Sequence, residues 1–129
     1  KSLKEIFYLF DVNISDFLNN FPEYNKKRDL HFIEFSGGEK RLLESYIMIK
    51  SPSRILLLDE PFSHIAPIYI EKLKELILEE KDKKIIIITD HLYKDILSIS
   101  DNLYLIKDGW SRLIKNKEEL IYHKYINSL

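Results

Sequence analysis

The sequence predicts an α/β fold, a mostly parallel sheet flanked by helices. Three observations predict it. Residues 55–58 and 85–88 are unbroken apolar runs of strand length, the pattern of strands covered on both faces. Stretches with apolar residues at helical spacing lie before, between and after them. Polar side chains suited to chemistry, Asp59-Glu60 and Asp90-His91, follow directly on the two runs. Open α/β sheets bind ligands beyond the carboxyl ends of their strands.

The elements follow in order. Residues 1–35 read as short, aromatic-rich helical pieces. Leu3, Ile6, Phe7 and Phe10 form one apolar stripe; Ile14, Phe17, Leu18 and Phe21 form a second that stops at Pro22. Residues 23–29 are charged and predict a loop. A stronger helix follows Ser36, with Leu42, Leu43, Tyr46, Ile47 and Ile49 on its apolar face and Ser51-Pro52 at its end. Residues 54–58 form the first strand. Pro67 has the fixed φ that suits a first helical turn, and it opens a helix carried by Ile70, Leu73, Leu76 and Ile77. A charged turn at 79–84 leads into strand 85–89. A short helix through Ile96, Leu97 and Ile99 precedes strand 103–106. Asp108-Gly109 signals a tight turn, and residues 110–114 return as the second half of a hairpin. Asn116, with Glu119 in the following turn, marks the start of a last helix through Leu120, Ile121 and Tyr125.

A chain of 129 residues suffices for one modest domain with a core. Its 45% hydrophobic and 32% charged residues are the mix of an ordinary soluble globular protein. A net charge of −1 provides no global basic field for nucleic acid or an anionic membrane. Cysteine is absent, which excludes disulfides and thiolate metal sites. No apolar run approaches the roughly 20 residues needed to cross a bilayer. The opening Lys1-Ser2-Leu3-Lys4-Glu5 carries an early acid and no small-residue cleavage site, unlike a secretory leader. The first residue is lysine, so the expectation is a processed chain or a piece of a longer one.

Three short motifs carry the chemistry. Ser36-Gly37-Gly38-Glu39 is at its plainest a capping box, Ser36 accepting from the Glu39 amide and Glu39 reaching back to the Ser36 amide. A cap does not need adjacent glycines, which cost about 1 kcal/mol each relative to alanine in a helix. A site where phosphate oxygens approach bare amides at a positive helix end does. Asp59-Glu60-Pro61 is either an ordinary polar turn after a strand or a rigid mount for chemistry. On that mount an Asp can hold Mg2+, usually through water, and the adjacent Glu can orient and polarise an attacking water. His91 is one of four histidines. It sits at the same sheet edge as Asp59, and an imidazole can donate a hydrogen bond whether or not it is protonated. His31, His64 and His123 receive no role.

Taken in order, Phe35-Ser36-Gly37-Gly38-Glu39-Lys40-Arg41, Ile55-Leu56-Leu57-Leu58-Asp59-Glu60-Pro61 and Ile85-Ile86-Ile87-Ile88-Thr89-Asp90-His91 resemble three parts of ATP-binding-cassette (ABC) ATPases. Those parts are the signature motif, the Walker B strand and the switch histidine. The intervals between them have room for one helix and turn, then one helix and strand, as in that family. The resemblance runs from Phe35 to about Leu120. It implies a P-loop NTPase-like fold of the ABC type, present as a partial domain. Residues 1–35 would be the end of the helical (signature) subdomain, and residues 36–129 the C-terminal part of the ATPase core.

The resemblance also implies a function. The chain would be part of the ATP-binding subunit of an ABC transporter, coupling ATP binding and hydrolysis to transport across a membrane. Ser36, Gly37, Gly38 and Glu39 would contact ATP held by the opposite subunit. Asp59 would hold Mg2+, and Glu60 and His91 would be the catalytic residues. The implied partners are a second ATP-binding subunit and transmembrane permease subunits, with no direct nucleic acid. The implied location is cytoplasmic, peripheral on the inner face of the cell membrane. A DNA- or ribosome-associated ABC protein, or a degenerate non-catalytic interaction module, stands as the alternative.

The departures from the family are specific. The three glycines, Gly37, Gly38 and Gly109, cannot build a Walker A phosphate loop, and no glutamine is present for a Q-loop. Both elements precede the signature in the family. The expectation is therefore the C-terminal portion of a longer domain, inactive alone. The D-loop equivalent, Ser63-His64-Ile65-Ala66-Pro67, has alanine where the family has an aspartate that helps couple two ATP sites. Ser36 to Arg41 followed by Glu44 is similar to the S-G-G-E-R-R-x-x-E pattern of lipopolysaccharide-export and branched-chain amino-acid uptake ATPases.

Overall fold

The computed structural model describes residues 1–116 and 118–122. It divides into two compact units, Lys1–Tyr93 and Lys94–Leu129.

The first unit opens with two short helices, α1 (Leu3–Leu9) and α2 (Ile14–Asn20). Ser2 and Glu5 form a capping box on α1, and Asn13 caps α2 by accepting from the Ser15 amide at 2.8 Å. Seven-residue helices do not stand alone in water, so tertiary packing must hold these. Phe7, Phe17, Phe21 and Tyr24 are buried. The three phenylalanines gather around Tyr46 of α3 (Gly37–Lys50), with the Phe17 and Tyr46 ring centroids 4.9 Å apart and edge-on. Each such pair contributes about 0.5–1.5 kcal/mol beyond area burial. Burial lifts the Tyr46 hydroxyl pKa to about 12. Phe10, expected on the first stripe, is 48% exposed, because the chain turns away at Asp11 with φ +54°. Residues 22–27, expected mostly as a charged loop, form a 3-10 helix opened by Pro22. The Tyr24 ring, buried against Phe17, Phe21 and Phe35, holds that turn against the aromatic core.

Helix α3 buries Leu42, Leu43, Tyr46, Ile47 and Ile49 and ends at Ser51. Strand β1 (Ile55–Asp59) follows, then α4 (Pro67–Glu80) with Pro67 in its first turn, then β2 (Ile85–Thr89). The two strands pair in parallel, Ile55 opposite Ile85 and Asp59 opposite Thr89. Leu56 and Leu58 are buried. The expectation of strands covered on both faces is not met here: Ile55, Leu57, Ile85 and Ile87 are 53–68% exposed. They occupy alternate positions in register, so they share one face.

The charged stretch before β2 is also more than a solvated turn. Glu80 is buried, with Lys50 at 2.9 Å and Lys83 at 3.2 Å. The Lys84 ammonium donates to the carbonyls of Ile49 and Ser51 at 2.7 Å each, satisfying acceptors at the end of α3.

The second unit begins just inside α5 (Tyr93–Ile99). It holds the antiparallel hairpin β3 (Leu103–Lys107) and β4 (Trp110–Ile114), a two-stranded sheet of its own. Asp108 and Gly109 have φ +50° and +79°, the two positive values that a type I′ turn requires. Helix α6 (Glu118–Tyr122) starts after Asn116, whose side chain accepts from the Glu119 amide at 3.1 Å. Tyr125 and His123 lie outside the described residues. Among the described residues, no helix is long and apolar enough to cross a membrane.

Candidate functional site

The parallel register brings the carboxyl ends of β1 and β2 side by side, with Asp59 opposite Thr89. The Thr89 hydroxyl donates to Asp59 Oδ1 at 2.5 Å. One residue on, the Glu60 amide donates to the Thr89 carbonyl at 2.7 Å. Glu60 itself has φ +48°, a left-handed conformation that costs a non-glycine residue about 1–2 kcal/mol. Its carboxylate meets His91: Nε2 lies 2.6 Å from Glu60 Oε1. The Ser63 hydroxyl donates to the other oxygen, Oε2, at 3.3 Å. His91 is largely exposed and Glu60 about half so, which leaves the pair accessible from solvent. Asp90 works differently. Its Oδ2 accepts from the Phe62 amide at 3.1 Å and its Oδ1 from the Leu92 amide at 2.9 Å, so it ties the two strand-end loops together.

The start of α3 makes the capping box in full. Ser36 Oγ accepts from the Glu39 amide at 3.3 Å, and Glu39 Oε2 accepts from the Ser36 amide at 2.9 Å. Glu39 Oε1 pairs with Lys27 Nζ. The hydrogen bond from Lys27, ahead of those from Ser36, holds the Glu39 carboxyl below the usual carboxylate range. The two glycines differ. A Cβ on Gly38 would stand 3.0 Å from the His64 carbonyl oxygen, so backbone approach accounts for that glycine. A Cβ on Gly37 would meet nothing within 4 Å. Among the described residues, no neighbour requires glycine at 37, and the space beside it is open.

The predicted residues therefore form two groups. Asp59, Glu60 and His91 come together at the strand ends; Ser36, Gly37, Gly38 and Glu39 lie at the start of α3. Among the described residues, no hydrogen bond or ion pair joins the groups directly. Arg41 and Ser45 link them, since Arg41 Nη2 donates to the Asp59 and Glu60 carbonyls at 2.5 and 2.8 Å and Ser45 Oγ to the Pro61 carbonyl at 3.3 Å. Sequence reasoning gave no role to Thr89, Asp90, Arg41, Ser45 or Lys27. The first three sit inside the quoted motifs. Ser45 shows as a polar break in the apolar face of its helix and is buried.

The donor set suits a magnesium ion better than a protein-only cage. Asp59 presents an exposed carboxylate with one oxygen engaged by Thr89. Among the described residues, no group of three or more His, Cys, Asp and Glu side chains clusters to hold a metal. Mg2+ keeps several waters and takes one or two carboxylates together with phosphate oxygens. Asp59 matches that modest demand.

No family model matches the chain. It is 33% identical over 95 residues to the lipopolysaccharide export system ATP-binding protein LptB of Acidithiobacillus ferridurans, covering 73% of this chain and 39% of that protein. It is 29% identical over 114 residues to the probable branched-chain amino acid transport ATP-binding protein LivF of Archaeoglobus fulgidus, covering 87% of this chain and 48% of that protein. The chain thus spans less than half the length of these curated relatives. A solved structure described as the ATP-binding subunit of an ABC transporter superposes with a TM-score of 0.68 at 18% identity, over 88% of this chain and 48% of that one, which shows the fold. Motif order, a P-loop NTPase-like α/β fold and these relatives converge: the chain belongs to the ATP-binding-cassette family, as part of its nucleotide-binding domain.

Proposed function

We propose that this chain supplies the hydrolytic end of the ATP-binding subunit of an ABC transporter, which couples ATP binding and hydrolysis to transport across a membrane. The observation that carries the reading is the Glu60–His91 contact beside Asp59, at the ends of two adjacent parallel strands. That is where an open α/β sheet places its ligand.

The roles follow from the chemistry of each group. Asp59 would hold Mg2+, which neutralises charge on the phosphate oxygens. Glu60 orients the attacking water and takes its proton. His91 donates a hydrogen bond, to Glu60 in this arrangement and to a γ-phosphate oxygen presented at the same edge. Ser36, Gly37, Gly38 and Glu39 serve a second ATP, held by a partner subunit; the open side of Gly37 leaves room for its phosphate. Residues 1–35 belong to the helical subdomain and residues 36–129 to the ATPase core. Permease subunits provide the membrane path, and the assembly places this chain on the cytoplasmic face. Both relatives' names and the Ser36-to-Glu44 pattern favour the branch that serves lipopolysaccharide export and branched-chain amino-acid transport.

Glu60→Gln tests the reading in the ATP-hydrolysing protein that carries these residues. The amide keeps the shape of the side chain and cannot act as a base. Turnover should fall by roughly 10²–10⁴-fold, while ATP stays bound in a trapped dimer. Hydrolysis at the wild-type rate would remove Glu60 from the mechanism.

A further inference from the structure

We propose that Arg41, seconded by Ser45, is the positioning residue for Glu60; the inference rests on the reading of Glu60 as the group that orients the attacking water. Gly38, Arg41 and Ser45 are spaced three and four positions apart on α3, so they line one face of that helix. The segment from Asp59 to His64 runs along this face. One guanidinium nitrogen of Arg41 donates to two successive carbonyls, of Asp59 at 2.5 Å and Glu60 at 2.8 Å. Ser45 takes the next carbonyl, of Pro61, at 3.3 Å. Gly38 admits the His64 carbonyl at a distance where a methyl group would press on it.

Three consecutive peptide units are thereby anchored to a single helix. Glu60 lies between the first two, at φ +48°. The peptide plane before it and the plane after it are both pinned by Arg41, so neither can rotate to relax the left-handed conformation. The direction of the Glu60 Cα–Cβ bond, and with it the aim of the carboxylate, is set from α3. Among the described residues, Arg41 makes no hydrogen bond or ion pair with the Glu60 carboxylate or with His91, and its other partner is Glu44 at 3.7 Å. It acts on backbone alone. Nη2 carries two N–H groups, one for each carbonyl, held in the rigid guanidinium plane, whereas a lysine ammonium rotates freely on a flexible stem. Helix α3 also begins at Ser36, so the loop that carries Glu60 and the turn at Ser36–Glu39 belong to one mechanical piece.

Amide hydrogen exchange on the 129-residue chain tests the bracket without reference to ATP. In Arg41→Ala, the amides of Glu60, Phe62 and Ser63 should exchange about tenfold faster or more, while Leu73 and Ile77 in α4 stay within about twofold of wild type. Arg41→Lys should recover part of the protection. Wild-type exchange at the loop would overturn the proposal, and so would equal acceleration throughout the chain. If Arg41→Ala does not fold, Ser45→Ala gives the graded version: Phe62 should exchange faster than wild type, and an unchanged rate there would count against the bracket. In the ATP-hydrolysing protein, Arg41→Ala should lower kcat about tenfold with KM for ATP within about twofold. A raised KM with unchanged kcat would overturn the positioning role. A Glu60→Gln protein that hydrolyses ATP normally would instead defeat the functional reading, and the exchange data would still decide whether Arg41 fixes the turn.

Discussion

At Ala66 one methyl group stands where a helix cap belongs. Ala66 is the N-cap of α4, with extended backbone (φ −63°, ψ 142°) and no side-chain hydrogen bond to the first turn. Aspartate at such a position gains about 1 kcal/mol over alanine, and its charge faces the positive end of the helix. Ala66→Asp should therefore raise the melting temperature of the chain by about 3–6 °C, read by circular dichroism. An unchanged or lower value would mean that a carboxylate here has somewhere else to go. Measuring the chain by itself separates the cap from the coupling role that the family gives this position. Other single-residue features were less legible in the sequence. Arg41 reaches Asp59 across 18 positions, and Thr89 reaches back to Asp59 across 30. Motif spacing located Asp59, Glu60 and His91 on the chain. It could not show which distant backbone oxygen a guanidinium would find, or that His64 would press on Gly38.

Among the elements, α3, α4, both parallel strands and the hairpin were legible because each has a signal of its own. Ser36 and Ser51 bound α3, Pro67 opens α4, and Asp108-Gly109 closes the hairpin turn. Two elements were misread because charge concealed burial. The 3-10 turn at Pro22–Lys27 depends on Tyr24, and the last turn of α4 depends on Glu80. Burial alone pushes the Glu80 carboxyl up, but hydrogen bonds from Lys50 and Lys83 outweigh it and the net direction is down from 4.5. A carboxyl held below its unfolded value stabilises the fold above that value, and the contribution is lost as pH falls through the folded one. Glu39, lowered chiefly by Lys27, acts in the same sense. Glu80→Gln leaves the deeply buried Lys84 without its anion and Lys50 with only the more exposed Glu79, 3.5 Å away. The expected loss is about 3 kcal/mol at neutral pH. Urea unfolding should show a shallower decline in stability for the variant than for wild type as the solution is acidified below about pH 4.5. Parallel declines would place the acid sensitivity elsewhere.

At the scale of the molecule, the parallel pair is the feature with the widest reach. Its strands were legible as apolar runs, yet the sequence could not show that one face would stay open, because runs of isoleucine and leucine look alike whether one layer or two cover them. Ile55, Leu57, Ile85 and Ile87 stand exposed on a sheet of two strands, each of which has an outer edge. Apolar faces with open edges invite association between copies. Sedimentation velocity should show the chain associating as its concentration rises, and Ile87→Lys should shift that onset upward with a stability change within about 0.5 kcal/mol. Association at the wild-type concentration in the variant would clear this face. The same four residues precede Asp59 and Thr89 at alternate positions, on one face of the pair. A layer laid over that face would dry one side of the site. Charges about 4 Å apart attract several times more strongly when the effective dielectric falls from ~80 to ~20. The polarity felt at Asp59 thus depends on whatever wets or covers the four aliphatic side chains that share its face.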